Sequence, residues 1–199
     1  MKILLTGFDA FGGETINPAS EAVMRLRGKA DVETLTVPTV YYESIRTVAA
    51  KIGEIKPDAV VLVGQAGGRT CITPERVAVN QMKSFGCDNH GNNLVGKIYE
   101  SGPDRLFSTL PNEALVRAVN AENIPAEISD SAGTFVCNHL LYGTLFYLEK
   151  HLPETLCGFV HVPYIPAQVI TKPKMPSMSL ETTVKALEAI VCCLQNGNF

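Results

Sequence analysis

Ser131-Ala-Gly-Thr-Phe-Val-Cys137-Asn-His139-Leu-Leu-Tyr142 is the stretch on which the reading of this chain turns. Ahead of it, Ile124 to Ile128 is a short run bounded by a proline and readable as a strand. Behind it, Leu140, Leu141, Leu145 and Leu148 recur at helical spacing, and Tyr142, Phe146 and Tyr147 widen the apolar face. Gly133 supplies the joint between the two. Cys137 therefore falls at or near the first turn of a helix. The partial positive charge there favours an anion, so a thiol so placed is expected to lose its proton more easily and become a nucleophile. An ordinary buried cysteine packed under a helix start is the competing reading, and the stretch alone does not choose between them.

Working outward, 199 residues allow one domain with a large core, and residues 1–199 are read as a single unit. Hydrophobic residues make up 46% and charged residues 19%, the balance of a globular chain. A net charge of −3 without a basic cluster argues against nucleic acid or an anionic membrane as partner. The opening Met1-Lys-Ile-Leu-Leu-Thr-Gly7 is far short of the ~20 apolar residues of a membrane span and carries no cleavage site. Six cysteines (Cys71, Cys87, Cys137, Cys157, Cys192, Cys193) include no C-x-x-C pair, so neither a metal site nor thioredoxin-type chemistry is expected. They read as reduced thiols in a cytoplasmic protein, with Cys192 and Cys193 packing in a C-terminal helix.

Lys2 to Gly7 is an apolar strand that runs into the glycine-rich loop Gly7-Phe-Asp-Ala-Phe-Gly-Gly13. The spacing is not G-x-G-x-x-G, and two phenylalanines suit a small apolar ligand better than a phosphate. Asn17-Pro18 opens a helix on Ala22, Val23 and Leu26. Val32 to Val37 is a second strand and Tyr41 to Ile55 a second helix. Ala59-Val-Val-Leu-Val63 has the continuous β-branched character of a central parallel strand and leads into Gly64-Gln-Ala-Gly-Gly-Arg69. Ligands collect at the carboxyl ends of such strands, so the two glycine-rich loops should meet over one site. Residues 73–80 read as a strand or bulged edge, and Lys83 to Gly96 as a long loop or hairpin, a lid or a subunit contact. A helix over Pro111 to Ala121, a strand at Ala126 to Ile128, a strand at Gly158 to Pro163 and a closing helix over Leu180 to Leu194 capped by Ser179 complete the pattern. Strands alternating with helices predict a three-layer α/β/α sandwich around an open, twisted, mostly parallel sheet.

A nucleophilic thiol needs a base, and there are four histidines. His139 lies two residues from Cys137, and helical positions i and i+2 point apart. His151 ends its helix, and His90 sits in a polar loop. His161, in Phe159-Val-His-Val-Pro163, stands at the end of a buried strand where the loops gather, although a core histidine satisfied by a carbonyl would look the same. Glu75 is the best candidate to orient it, with Asp9 the other acidic residue near a site loop; a carboxylate paired to Arg69 or Arg76 is the plainer reading of Glu75. Amides at the start of the Cys137 helix could hold an oxyanion.

Gly7–Gly13, Asn17-Pro18, Gly64–Arg69, Ile72-Thr-Pro-Glu-Arg-Val-Ala78, Ser131–Asn138 and His161-Val-Pro-Tyr-Ile-Pro166 together resemble pyroglutamyl peptidase I, the pyrrolidone-carboxylate peptidase family of cytosolic cysteine peptidases. The blocks keep the family's order from Lys2 to about Leu194. The resemblance implies removal of an N-terminal pyroglutamate from small peptides through a thioacyl intermediate. Cys137 matches the nucleophile, His161 the general base and Glu75 the acidic member. It implies no metal or organic cofactor, and a homo-oligomer, tetramer or dimer. The matching pocket positions are Phe8, Phe11, Asn17, Thr39, Gln65, Phe135 and Val136, a small apolar slot in which Gln65 can offer both donor and acceptor. One stretch departs: Ser84 to Gly91 puts Gly86 where the family has an aliphatic wall, with Phe85 as a possible substitute, and the Gly28 to Asp31 loop is short. A nucleoside-phosphorylase-like enzyme using the glycine loops for phosphate, and a silent pyroglutamate-binding module, are the rival readings.

Overall fold

The computed structural model describes residues 1–84 and 86–197. The first half runs β1 (Ile3–Phe8), α1 (Pro18–Arg25), β2 (Val32–Val37), α2 (Glu43–Ile55) and β3 (Ala59–Gln65). Five short strands follow: β4 (Thr73–Glu75), β5 (Val77–Val79), β6 (Met82–Lys83), β7 (Val95–Gly96) and β8 (Arg105–Phe107). The chain closes with α3 (Asn112–Ala121), α4 (Val136–His151), β9 (Leu156–Val162), α5 (Pro166–Val169) and α6 (Leu180–Asn196).

The main sheet has the order β2-β1-β3-β9-β4. Its first four strands are parallel, and β4 joins the edge antiparallel to β9. Every residue of β3 is buried, which is why its sequence is a continuous apolar run. Val61 and Val63 face a cluster with α1, α3 and α6, while Val60 and Leu62 face a second cluster with α2 and α4. Each fully buried Val, Leu or Ile contributes about 1.5–3 kcal/mol, so the two clusters hold the sheet between its helical layers. The expected α/β/α sandwich with a mostly parallel sheet is the observed architecture.

Local signals act where expected. Asn17 Oδ1 accepts from Ala19 N (3.0 Å) and Pro18 occupies the first turn of α1. Ser179 Oγ accepts from Thr182 N (3.1 Å) to cap α6. His151 Nδ1 lies 2.8 Å from Tyr147 O at the end of α4. No helix among the described residues is long and apolar enough to cross a membrane.

Three expectations need correction. Helix α2 starts at Glu43 and not Tyr41, because Tyr42 holds φ +58 and closes a turn. Residues 124–128 form no strand; they run beside β4 through single bridges at Ala126 and Ser129. Residues 83–96 take the hairpin form of the loop or hairpin expected there. They close as a hairpin on β6 and β7, and Asn89 donates to Asp9 Oδ1 (3.1 Å) and Ala10 O (2.9 Å), fastening the tip to the first glycine loop. Cys192 is exposed and does not pack in the core of α6.

Candidate active site

The sheet register builds the site. In β9, Phe159 and His161 alternate onto the α4 side of the sheet, and their rings lie 4.7 Å apart. The antiparallel pairing of β4 sets Thr73 opposite His161 and Glu75 opposite Phe159, bringing the carboxylate diagonally beside the imidazole. Glu75 Oε1 lies 2.7 Å from His161 Nδ1, with Glu75 wholly buried and His161 nearly so. A carboxylate only accepts, so Nδ1 carries the proton and Nε2 keeps its lone pair.

On the other side of His161 the register places Gly64. A Cβ built there would lie 3.2 Å from Cys137 Sγ and 2.5 Å from Phe159 Cζ. Only hydrogen leaves room for the Phe159 ring at this point of the sheet, and it also lets the sulfur approach closely. Cys137 is the second residue of α4 and remains partly exposed. Gly133, at φ +77, lets the chain turn into that helix. The N-cap residue, Phe135, provides no side-chain acceptor, so the first-turn amides of α4 stay uncapped beside the sulfur. Asn138 is buried and clamps the helix from behind: Oδ1 accepts from Val79 N (2.9 Å), and Nδ2 donates to Val79 O (2.9 Å) and Gln81 O (3.1 Å).

The electrostatics differ from the expectation of a readily ionised thiol. Burial pushes the Cys137 thiol up to about 12, and the Glu75 charge adds to it; Arg69 and the residue's own amide oppose without prevailing. Burial also lowers His161, with Glu75 pulling the other way. Burial alone would raise Glu75, but its bond to His161, the imidazole charge and Arg69 hold it below the ordinary carboxylate range. Burial thus works against the charged form of both the thiol and the imidazole.

Sequence reasoning treated Arg69 only as a rival partner for Glu75. The structure gives Glu75 both partners: Arg69 Nη2 lies 2.9 Å from the same Oε1 and donates to Ser131 O (3.0 Å). Arg69 thereby ties the second glycine loop to the cysteine loop, and Gly-Gly-Arg at a strand end was the available signal. Asp9, the alternative orienter, is used elsewhere; its Oδ1 accepts from Thr39 N (2.8 Å) and Thr39 Oγ1 (2.7 Å). His139 is wholly buried without a partner for either ring nitrogen, and burial lowers it to about 3. It sits edge-on to Tyr41 and Tyr42, at 5.0 and 4.6 Å. His90 is exposed, near Glu43.

Of the pocket candidates, Phe11 and Phe135 face each other at 6.3 Å. Val136 is buried at the start of α4, and Thr39 is buried with its hydroxyl turned to Asp9. Phe8 lies beneath, 6.4 Å from the Phe159 ring. Asn17 has both polar atoms engaged in the protein, Nδ2 donating to Asp9 O (2.9 Å) while Oδ1 caps α1, so it shapes the Phe11 loop from behind. Gln65 leaves β3 on the face opposite Gly64, and its Oε1 accepts from Gln168 (2.8 Å). Gly86 is exposed, and Phe85, its suggested substitute, lies outside the described residues. Tyr41 stands edge-on to Phe135 at 5.6 Å, with its hydroxyl 2.7 Å from Ser84 Oγ, and supplies an aromatic wall beside that segment.

Comparison with known proteins bears on the family. The family profile described as Pyroglutamyl peptidase matches residues 1–196. A pyrrolidone-carboxylate peptidase of Clostridium botulinum is 49% identical over 100% of this chain and 95% of its own length, and one of Clostridium perfringens is 50% identical with the same coverage. The crystal structure of pyroglutamyl peptidase I from Bacillus amyloliquefaciens superposes with a TM-score of 0.94 at 46% identity, covering 96% of this chain and 93% of that one. A mutant pyrrolidone carboxyl peptidase from Pyrococcus furiosus gives 0.93 at 35% identity over 100% of both chains. A sulfur at an uncapped helix start, an imidazole held by a buried carboxylate, and likeness over the full length converge: the chain belongs to the pyroglutamyl peptidase family.

Proposed function

We propose that the chain is a cysteine exopeptidase that hydrolyses the N-terminal pyroglutamyl residue from peptides, with Cys137 as nucleophile, His161 as general base and acid, and Glu75 as the group that orients the imidazole. The observation that carries the reading is the Glu75–His161 Nδ1 contact of 2.7 Å, with Cys137 Sγ set against Gly64, the β3 partner of His161. Nε2 takes the thiol proton as sulfur attacks the pyroglutamyl carbonyl, and the first-turn amides of α4 receive the oxyanion. Glu75 stabilises the imidazolium, which then gives its proton to the leaving amine. Water, deprotonated by His161, cleaves the thioacyl bond and releases pyroglutamate. Phe11, Phe135 and Val136 suit an uncharged five-membered ring.

The phosphorylase-like alternative is disfavoured because Arg69, the guanidinium nearest the glycine loops, is occupied by Glu75 and Ser131. Residues 1–199 act as one catalytic domain in this reading. The six free cysteines suit a reducing cytoplasm, and exposed Phe107, Val95 and Ile170 suit a homo-oligomer. The test is turnover of a pyroglutamyl-linked fluorogenic amide before and after exhaustive alkylation. Loss of turnover in step with alkylation of Cys137 supports the assignment, and full activity with Cys137 completely alkylated overturns it. Pyroglutamate binding without product would favour the silent module.

A further inference from the structure

Three segments meet outside the carboxyl end of β1: the glycine loop that carries Phe11, the turn from Thr39 to Tyr42, and the tip of the β6–β7 hairpin. Phe11 lies where the chain turns through Gly12 and Gly13 at φ +64 and +82, with no strand or helix of its own to fix it. Asn89, at the hairpin tip, grips this loop. Its backbone N–H donates to Thr39 O (3.0 Å), and its Nδ2 donates to Asp9 Oδ1 (3.1 Å) and Ala10 O (2.9 Å). Ala10 O takes no other hydrogen bond among the described residues. The Ala10 carbonyl and the Phe11 nitrogen belong to one rigid peptide plane, so holding that oxygen fixes the direction in which the Phe11 side chain leaves the backbone.

Asn89 stands on a firm base. Asp88 is buried, and its carboxylate accepts from His90 N (2.9 Å), Asn92 N (2.8 Å), Asn92 Nδ2 (2.9 Å) and Tyr41 N (3.0 Å). The Tyr41 ring is edge-on to Phe135 at 5.6 Å, and Phe135 faces Phe11 at 6.3 Å. The hairpin tip therefore reaches both members of the aromatic pair, Phe11 through the Ala10 carbonyl and Phe135 through Tyr41. The joint has a fixed polarity. Asp9 Oδ1 and Ala10 O both accept, so only an amide nitrogen can face them, and an ionised carboxylate of the same size has nothing to donate.

Building on the pyroglutamyl reading, we propose that Asn89 is a positioning residue for the acyl slot: its amide sets the Phe11 loop against Phe135 and so governs how tightly the substrate ring is held. Cys137, His161 and Glu75 ride on α4, β9 and β4, to none of which Asn89 bonds. Loss of the amide weakens the hold on the ring in ground state and transition state alike, which raises KM and spares kcat.

The test is steady-state turnover of a pyroglutamyl-linked fluorogenic amide, with urea unfolding run alongside. Asn89→Ala should raise KM about tenfold and leave kcat within about twofold. Asn89→Asp keeps the size of the side chain and the backbone bond to Thr39 O, and should give the same split near neutral pH. In a Phe11→Ala background Asn89→Ala should add nothing further, because the ring it positions is gone. A role in stability alone would lower the unfolding midpoint and leave KM where it was. Four results overturn the positioning role and leave the pyroglutamyl reading standing: unchanged KM in either folded variant, kcat falling as far as KM rises, losses that multiply in the double variant, or failure of both single variants to fold. Absence of turnover by the unaltered protein overturns that reading, and the inference with it.

Discussion

His139 should make the fold acid-labile, and replacing it should remove one proton's worth of that lability. The imidazole is wholly buried between the edges of Tyr41 and Tyr42, with no hydrogen-bond partner on either nitrogen. Burial lowers it from 6.5 to about 3. In the unfolded chain it takes a proton below about pH 6.5, whereas the folded protein refuses one until about pH 3. Between those limits the unfolded state binds more protons, so stability falls as pH falls. At 1.36 kcal/mol per unit, the whole window is worth about 5 kcal/mol, and the part between about pH 7.5 and pH 5 about 2 kcal/mol. The perturbation is His139→Leu and the assay is urea unfolding at the two pH values. The packing cost of the substitution is common to both and cancels in the difference. Wild type should lose about 2 kcal/mol more than the variant on acidification. Equal losses would refute the reasoning, because they would mean that His139 titrates normally in the folded state.

Two other substitutions probe the site directly. Glu75→Gln keeps the shape that holds Nδ1 but removes the charge that stabilises an imidazolium, so kcat should fall about a hundredfold or more with KM little changed, as read from steady-state kinetics. Gly64→Ala pushes a methyl to 2.5 Å from Phe159 Cζ and 3.2 Å from Cys137 Sγ. Thermal unfolding should show a loss of about 1–3 kcal/mol, with activity falling further than stability explains because the sulfur is displaced; an active, fully stable variant would mean the sulfur does not sit against β3.

The parts legible in the sequence were those whose cause is local or periodic. The run from Ala59 to Val63 announced a strand covered on both faces, and Asn17-Pro18 and Ser179 announced helix starts, because cap chemistry acts within three residues. Cys137, His161 and Glu75 stood out as candidates from strand ends, a helix start and the ordered motif blocks, and the structure joins Glu75 to His161. What stayed hidden depends on contacts distant along the chain. Ile124 to Ile128 looks like a strand, but its bonds go to the residues around β4 one bridge at a time. The role of Arg69 appears only when two loops and the buried Glu75 meet. Gln168 carries no sequence signal for polarity, since its orientation is set by a backbone N–H and a carboxylate 154 residues away. Burial, a property of the whole packing, is what sequence patterning weighed too lightly at Cys137.

That last misjudgement has a measurable size. A helix N-terminus favours an anion by about 0.3–1 kcal/mol, and by about 2 kcal/mol in favourable partly buried sites. Raising the thiol from 9.0 to about 12 corresponds to about 4 kcal/mol against ionisation. On the proposed mechanism burial opposes a stored thiolate, and the thiol proton would pass to His161 Nε2 when substrate arrives, with the α4 amides stabilising the charge that sulfur passes to the carbonyl. In the ligand-free enzyme, exchange of Cys137 with an aromatic disulfide, followed by mass spectrometry to separate it from the other five thiols, should then run about a hundredfold slower than free cysteine near pH 7. Its rate should climb about tenfold per pH unit to pH 10 without a plateau. A plateau beginning near neutrality would show a preformed thiolate, and would mean that the helix field and Arg69 outweigh the desolvation of the sulfur.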